Sequence, residues 1–414
     1  MKRRLFYLDF VKAIACWAVF TIHFNAQTSS MFTLPNKVFP NYIFRGVYLG
    51  TFGVSLFFIA SGVGLYYSYN NEKQHSILRF YWKRARALYP MFWIAWIWAA
   101  IACLFVFKKI SSASLKYFPL TILGMDGYVL SLGLSKQTFY LVGEWFLGCI
   151  FLMYLVAPLL LFGIHRRPLL TTVLAFCGSF LCLAPFMPSF INNEVWFMRR
   201  LPEVVLGMLF AKYVKNPNWK TSLAGCVIGA AGLSVASVFP DKVTYDTIIC
   251  TAAFLAFAGI AEYMRKGPIE KLVSNISKYS YAIFLCHHYI IFCAVQYLHL
   301  DWLQQRDLVV LYIAHIAVTA FVSTLLYRAE KIVCHVVSEG VHDLLVQTKA
   351  PPPPYNVIYP GFQQTAQNET IVEWPLWAVI YIFFFFFYFL TFPVAMLQLD
   401  KKKGGIFHAV SKKC

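Results

Sequence analysis

The chain has 414 residues, 59% of them hydrophobic and 13% charged, and a formal net charge of +18. That composition excludes an ordinary soluble domain. The basic residues lie in short clusters between apolar runs, which argues against nucleic acid and for membrane topology with anionic-lipid contact.

The start, MKRR followed by an apolar run, imitates a signal peptide. Asp9 and Lys12 inside that run, and the lack of a small-x-small cleavage site, predict a retained first helix. Ten core spans follow from the apolar runs: 5–25, 47–69, 88–107, 140–163, 169–187, 201–213, 222–239, 246–264, 280–299 and 308–328. The expected fold is an all-α polytopic membrane bundle. Basic loops place MKRR, Arg79 to Arg86, His165 to Arg167, Lys212 to Lys220, Arg265 to Lys278 and Arg328 to Lys331 on the cytoplasmic side. Both core termini are then cytoplasmic in a multi-pass protein of the plasma membrane. Lys108-Lys109 and Arg199-Arg200 fall outside and break the rule mildly. The outer stretch 108–139, with Gly124, Gly127 and Gly133, is long enough to cover or line a cavity. The eleven cysteines show neither a CxxC pair nor metal-ligand spacing, and read as small buried apolar residues. No metal site is expected.

The chain changes character beyond the core, taken as 1–335. A linker, 336–373, contains PPPPY at 351–355; a C-terminal segment, 374–414, carries an extra hydrophobic helix and a basic tail. An eleventh span leaving the cytoplasm would put Lys401, Lys402 and Lys403 outside, against positive-inside. PPPY and the sequon at Asn368 to Thr370 are short enough to arise by chance.

Lys12 and His23 lie eleven residues apart in the first span. At about 100° per residue they share one helix face, about 16 Å apart along the axis, with Asp9 within about 60° of the stripe. Ionisable groups inside a span are costly and mark function by default. An imidazole suits a general base that takes a proton from a hydroxyl. The bland readings are a packing histidine, a snorkelling lysine and an Asp9–Lys12 pair. Arg79, Lys83 and Arg86 share a face at i, i+4, i+7, with Arg84 beside it. By itself this is an interfacial segment on anionic lipid; beside Lys12 it could clamp phosphates. Glu144 opens the fourth span. His287 and His288 lie in the ninth, and adjacent residues diverge by about 100°, so one is expected to face the bundle interior and the other a helix interface. Glu203 and His315 carry less weight.

These segments together resemble the family-3 membrane acyltransferases. Leu8, Asp9, Lys12 and His23 match the family's first-span motif, and Phe57, Phe58, Ser61 and Gly62 its Phe-Phe-x-x-Ser-Gly run. Lys83, Arg86, Leu88 and Pro90 are similar to its basic motif; Trp145, Phe146 and Leu147 to its Trp-aromatic-Leu start; Ser280, Tyr281, Phe284, Leu285 and His287 to its ninth-span motif; Glu330-Lys331 to its closing pair. The resemblance runs in order over roughly residues 5–335. It implies an acyl-coenzyme A donor, usually acetyl-CoA, entering from the cytoplasm, and a hydroxyl acceptor on a surface or lipid-linked glycan. It implies that His23 is essential for catalysis and that Lys12 contacts the cofactor. Lys at position 12 replaces the commoner Arg, which keeps the charge but loses bidentate phosphate binding.

The expectation is therefore an O-acyltransferase with His23, Asp9 and Glu144 as catalytic residues. Lys12, Lys83, Arg84 and Arg86 would hold coenzyme A; His287, Ser61 and Trp145 would contact substrate. The partners are acyl-CoA, a glycan or lipid-linked oligosaccharide and membrane lipid, with no nucleic acid. The rival is a transporter or flippase, which uses the same intramembrane charges. A glycan polymerase would need larger outer loops.

Overall fold

The computed structural model describes residues 5–31, 37–71, 76–108, 113–134, 137–183, 192, 194–239, 241–298 and 305–349. The chain divides into two compact units, one of 1–295 with 301–330 and one of 296–300 with 331–414. Everything that positions the site lies in the first.

The described elements are α1 (Phe6–Met31), a two-stranded hairpin β1 (Tyr42–Ile43) and β2 (Val47–Tyr48), α2 (Leu49–Asn70), α3 (Ile77–Phe107), α4 (Phe118–Ile122), α5 (Asp126–Ser131) and α6 (Glu144–Arg166). They continue with α7 (Pro168–Leu181), α8 (Phe197–Tyr213), α9 (Trp219–Ser234), α10 (Lys242–Ala261), α11 (Gly267–Leu298) and α12 (Gln305–Lys349). Each of the ten expected spans overlaps one of these helices, but the count of ten membrane crossings is not reproduced among the described residues. Six of the described helices, α1, α2, α3, α6, α10 and α12, are long and apolar enough to cross a membrane. The others differ for physical reasons. A crossing needs about 20 apolar residues, and α7, α8 and α9 have 14, 17 and 16. The 32-residue α11 begins with a charged stretch containing Glu270, Lys271 and Lys278. α12 runs unbroken to Lys349, past residue 336. The PPPPY run, the sequon and the C-terminal hydrophobic segment lie outside the described residues.

α1 and α2 pack antiparallel, with Gly53 against Ala15 and Val19, and Gly50 against Ile22. α2 and α8 approach more closely still. A Cβ at Gly62 would meet the Val204 carbonyl oxygen at 2.0 Å, and one at Gly207 would meet that of Ile59 at 2.0 Å. Small residues let backbones come this near, the usual device where lipid supplies no hydrophobic drive between helices. The core gathers Val11, Ala15, Leu56, Phe58, Val63, Met153, Val204, Met208 and Phe254, all essentially inaccessible.

The basic segment is part of α3, not a loop before it. Ser76 caps that helix by accepting a hydrogen bond from the Arg79 backbone N–H at 3.3 Å. Arg79, Lys83 and Arg86 are exposed, as one face requires, while Arg84 turns inward.

Candidate active site

Glu144 is the first residue of α6, and its backbone is unusual. Gly143 has φ 99° and Glu144 φ 36°, so a non-glycine residue sits in the left-handed region directly after a glycine. α5 presses on this turn: a Cβ at Gly127 would lie 2.7 Å from the Glu144 carbonyl carbon. Strain of this kind persists only where surroundings impose it, and it gathers at functional sites.

The Glu144 carboxylate meets three side chains from other segments. The Tyr140 hydroxyl donates to its Oε1 at 2.8 Å. The same oxygen pairs with Nδ1 of His288. His23 completes the group: ligand-type atoms of His23, Glu144 and His288 lie within 4.8 Å of one another. The His23 ring stands between the two histidines of α11, 5.1 Å from His287 and 4.8 Å from His288 by ring centroids. His288 Nε2 lies 3.0 Å from the Gln27 side-chain nitrogen. Gln27 is one turn beyond His23, so α1 supplies both the imidazole and a support for its neighbour.

The two adjacent histidines of α11 both lie close to His23. Their angular offset alone leaves open which of the two faces the interior; His288 is the partner of Glu144. His287 is 1% exposed and faces the interior. Both reach His23 because α1 lies against α11 between their two directions. One helix's periodicity gives directions but not where a neighbouring helix stands.

Other expected residues lie elsewhere. Asp9 is buried near the start of α1, about 21 Å from His23 along the helix axis. Its Oδ1 accepts from the Ser277 hydroxyl at 2.5 Å, so it ties α1 to α11 at the far end from His23. Lys12 is half-buried one turn above it. Arg84 donates to the Ser68 hydroxyl at 3.0 Å and lies over the rings of Phe80 and Tyr154 at 5.4 and 5.6 Å. Ser61 is half-buried on α2. The Trp145 ring lies 5.9 Å from the Arg200 guanidinium and packs on Phe58.

Between the Lys12 and His23 levels of α1 is a small cavity of about 10 Å³, lined by Cys16, Val19, Phe20, Phe57, Ser280, Ile283, Phe284 and His287. His287 Nδ1 lies 3.0 Å from the carbonyl oxygens of Ile283 and of Phe284. It therefore donates to the helix backbone, which leaves Nε2 as a lone-pair acceptor.

A second polar group was not assembled from the sequence. Arg199 and Arg200 are each 1% exposed. Arg200 donates to Glu203 Oε1 at 2.9 Å, and Ser55 donates to the same oxygen at 2.6 Å. Arg199 pairs with Asp241 and donates to the Ser179 carbonyl at 2.9 Å. Lys242 holds Asp246 at 2.7 Å. The Glu203 three residues after Arg200 was the available signal. Burial disfavours the Asp241 carboxylate, but hydrogen bonds from Thr244 and the Arg199 charge outweigh it and hold its pKa below the usual range. Asp126, at the start of α5, goes the other way: burial pushes its carboxyl up to about 6, against bonds from Thr121, Thr138 and the Phe139 backbone.

The chemistry open to the His23 group follows from its donors. Zinc bonds of about 2.0–2.2 Å place tetrahedral ligand atoms about 3.3 Å apart. These three side chains would have to converge and give up the Glu144–His288 bond to hold a metal. As they stand, His288 pairs with the carboxylate and the His23 imidazole lies within 4.8 Å of it, an arrangement that can take up and orient a proton.

An acyltransferase domain model of family 3 matches residues 5–328. No curated protein matches, and no solved structure does.

Proposed function

Because the chain belongs to the family-3 acyltransferases, through a match over residues 5–328, we propose that it moves an acetyl group from acetyl-CoA to a hydroxyl of a cell-surface or lipid-linked glycan. The observation that supports this reading is His23 standing within 4.8 Å of Glu144 and His288, toward the opposite end of α1 from Asp9.

The donor enters from the cytoplasm. Its phosphates meet Lys12 and Arg84, with Lys83 and Arg86 on the exposed face of α3 drawing the anion in. Its pantetheine arm follows α1 past the cavity between Cys16 and His287. The thioester carbonyl then lies beside His23. His23 takes the proton of the acceptor hydroxyl as the oxygen attacks that carbonyl, and the collapsing tetrahedral intermediate expels the coenzyme A thiolate, which takes up the proton. Glu144, held by Tyr140 and His288, stabilises the imidazolium formed at His23. Asp9 positions α1 against α11 and does not reach the reacting atoms. The core ends lie in the cytoplasm of a plasma-membrane protein.

The test uses purified protein in nanodiscs and acetyl-CoA labelled in the acetyl group. Coenzyme A release and label on a panel of surface glycans and lipid-linked sugars are followed for wild type and His23→Ala. Label on a glycan, lost in a folded variant, is expected. Glycan movement across the bilayer with no acetyl-CoA consumed would replace this reading with a transporter.

A further inference from the structure

His287 has a buried ring nitrogen with a defined role and nothing to perform it on. Nδ1 is committed to the Ile283 and Phe284 carbonyls. Nε2 is buried and has no hydrogen-bond partner among the described residues. A buried acceptor left unpaired is costly, and native chains rarely tolerate one without a purpose. The ring lines the cavity on α1, whose other walls are mostly apolar: Val19, Phe20, Phe57, Ile283 and Phe284. Cys16 and Ser280 complete the lining, and the Ser280 hydroxyl donates to the Ser277 carbonyl at 2.9 Å, so a ligand that fills this place meets the imidazole nitrogen as the strong acceptor in a mostly apolar wall. It is recognised by a single donor group on an otherwise apolar chain.

We infer that His287 Nε2 accepts the hydrogen bond of the amide N–H two carbons from the sulfur of a pantetheine thioester, and so anchors the donor with its carbonyl at His23. The inference rests on the thioester-donor reading above and assigns which atom of that donor is read. The geometry is consistent along the arm. Four bonds separate that amide nitrogen from the thioester carbon, about 5 Å when extended. The His23 and His287 ring centroids are 5.1 Å apart. An arm anchored at His287 thus carries its reacting carbon to His23. The cavity has space for only a water-sized molecule in this form, so α1 and α11 must separate slightly as the arm enters. The Nε2 acceptor is then exposed to the arm among mostly apolar walls, the Ser280 hydroxyl there donating to the Ser277 carbonyl. His287 is a positioning residue in this scheme: it accepts no proton from the acceptor and releases none.

The chemistry is shared by coenzyme A and by carrier-bound phosphopantetheine, since both contain this amide. The experiment measures binding, which needs no known acceptor. The full chain in nanodiscs is titrated with labelled coenzyme A and with an analogue in which this amide is an ester. Wild type should bind the amide about tenfold more tightly, the size of one buried hydrogen bond. In His287→Phe the ratio should fall to near one, and in His287→Gln, which restores an acceptor, it should recover in part. Equal affinity for amide and ester in wild type, or an unchanged ratio in His287→Phe, would overturn the assignment. Failure of wild type to bind either compound would instead overturn the donor reading on which it rests. Repeating the pair as 4′-phosphopantetheine separates the sources: retained affinity supports a carrier-borne arm at His287, and lost affinity supports coenzyme A there.

Discussion

Two groups of ionisable side chains lie within this bundle, joined by the consecutive residues Glu144 and Trp145, and they are built on opposite principles. Around Arg199 and Arg200 every cation has an anion against it, and the Arg200–Glu203 pair is almost wholly excluded from solvent. Around His23 the carboxylate pairs with the neutralisable imidazole of His288, with His23 within 4.8 Å, and Glu144 and His288 keep 15% and 26% of their side-chain surface exposed. Saturated ion pairs hold helices in register but are closed to a substrate. A carboxylate with two imidazoles and an open side can gain and lose a proton. Membrane burial of charge therefore marks both architecture and chemistry, and the partner's type separates them.

The largest effect should come from His23→Ala. Acyl transfer should drop by about a thousandfold, with the melting temperature of the purified protein close to wild type. The mirror experiment is Arg200→Met, which leaves Glu203 buried without its cation. It should destabilise the fold by about 3–5 kcal/mol, read as denaturation at a lower temperature. Replacing both, Arg200→Met with Glu203→Leu, should restore most of that loss and keep transfer activity. Glu144→Gln is intermediate: it keeps an acceptor for Tyr140 but removes the charge that supports an imidazolium, so transfer should fall about a hundredfold. Each result sharpens the contrast. A stable, inactive Arg200/Glu203 double variant would break it.

The smallest effect concerns Asp126, which belongs to neither group. Its pKa is near 6 in the fold against an ordinary 3.8. The native state therefore holds a proton that the unfolded chain releases, and stability falls as pH rises from about 4 to about 6. Asp126→Asn should flatten this slope and leave transfer unchanged. Thermal denaturation of both forms across that range reads it directly.

The sequence revealed much of this through periodicity. The helix of α1, its Lys12–His23 face and the apolar runs of the core are local patterns, so they were legible without neighbours. His288 was not, because its role depends on where α1 stands relative to α11. Arg199 and Arg200 read as loop charges, since hydropathy registers their cost but not the distant Asp241 that offsets it. Asp9 looked like part of one stripe with His23, yet a stripe on a long helix joins places about 21 Å apart, and Ser277 from α11 claims its carboxylate. Span counting was limited for another reason: α7, α8 and α9 are held by packing and polar contacts as well as by apolar length.

The decisive measurement compares the two groups in one assay. Wild type, His23→Ala and the Arg200→Met/Glu203→Leu pair are each given labelled acetyl-CoA and the glycan panel, with melting temperatures recorded alongside. The account predicts label on a glycan for wild type and the pair variant, and none for a His23→Ala protein of normal stability. Transfer by His23→Ala at the wild-type rate would contradict it.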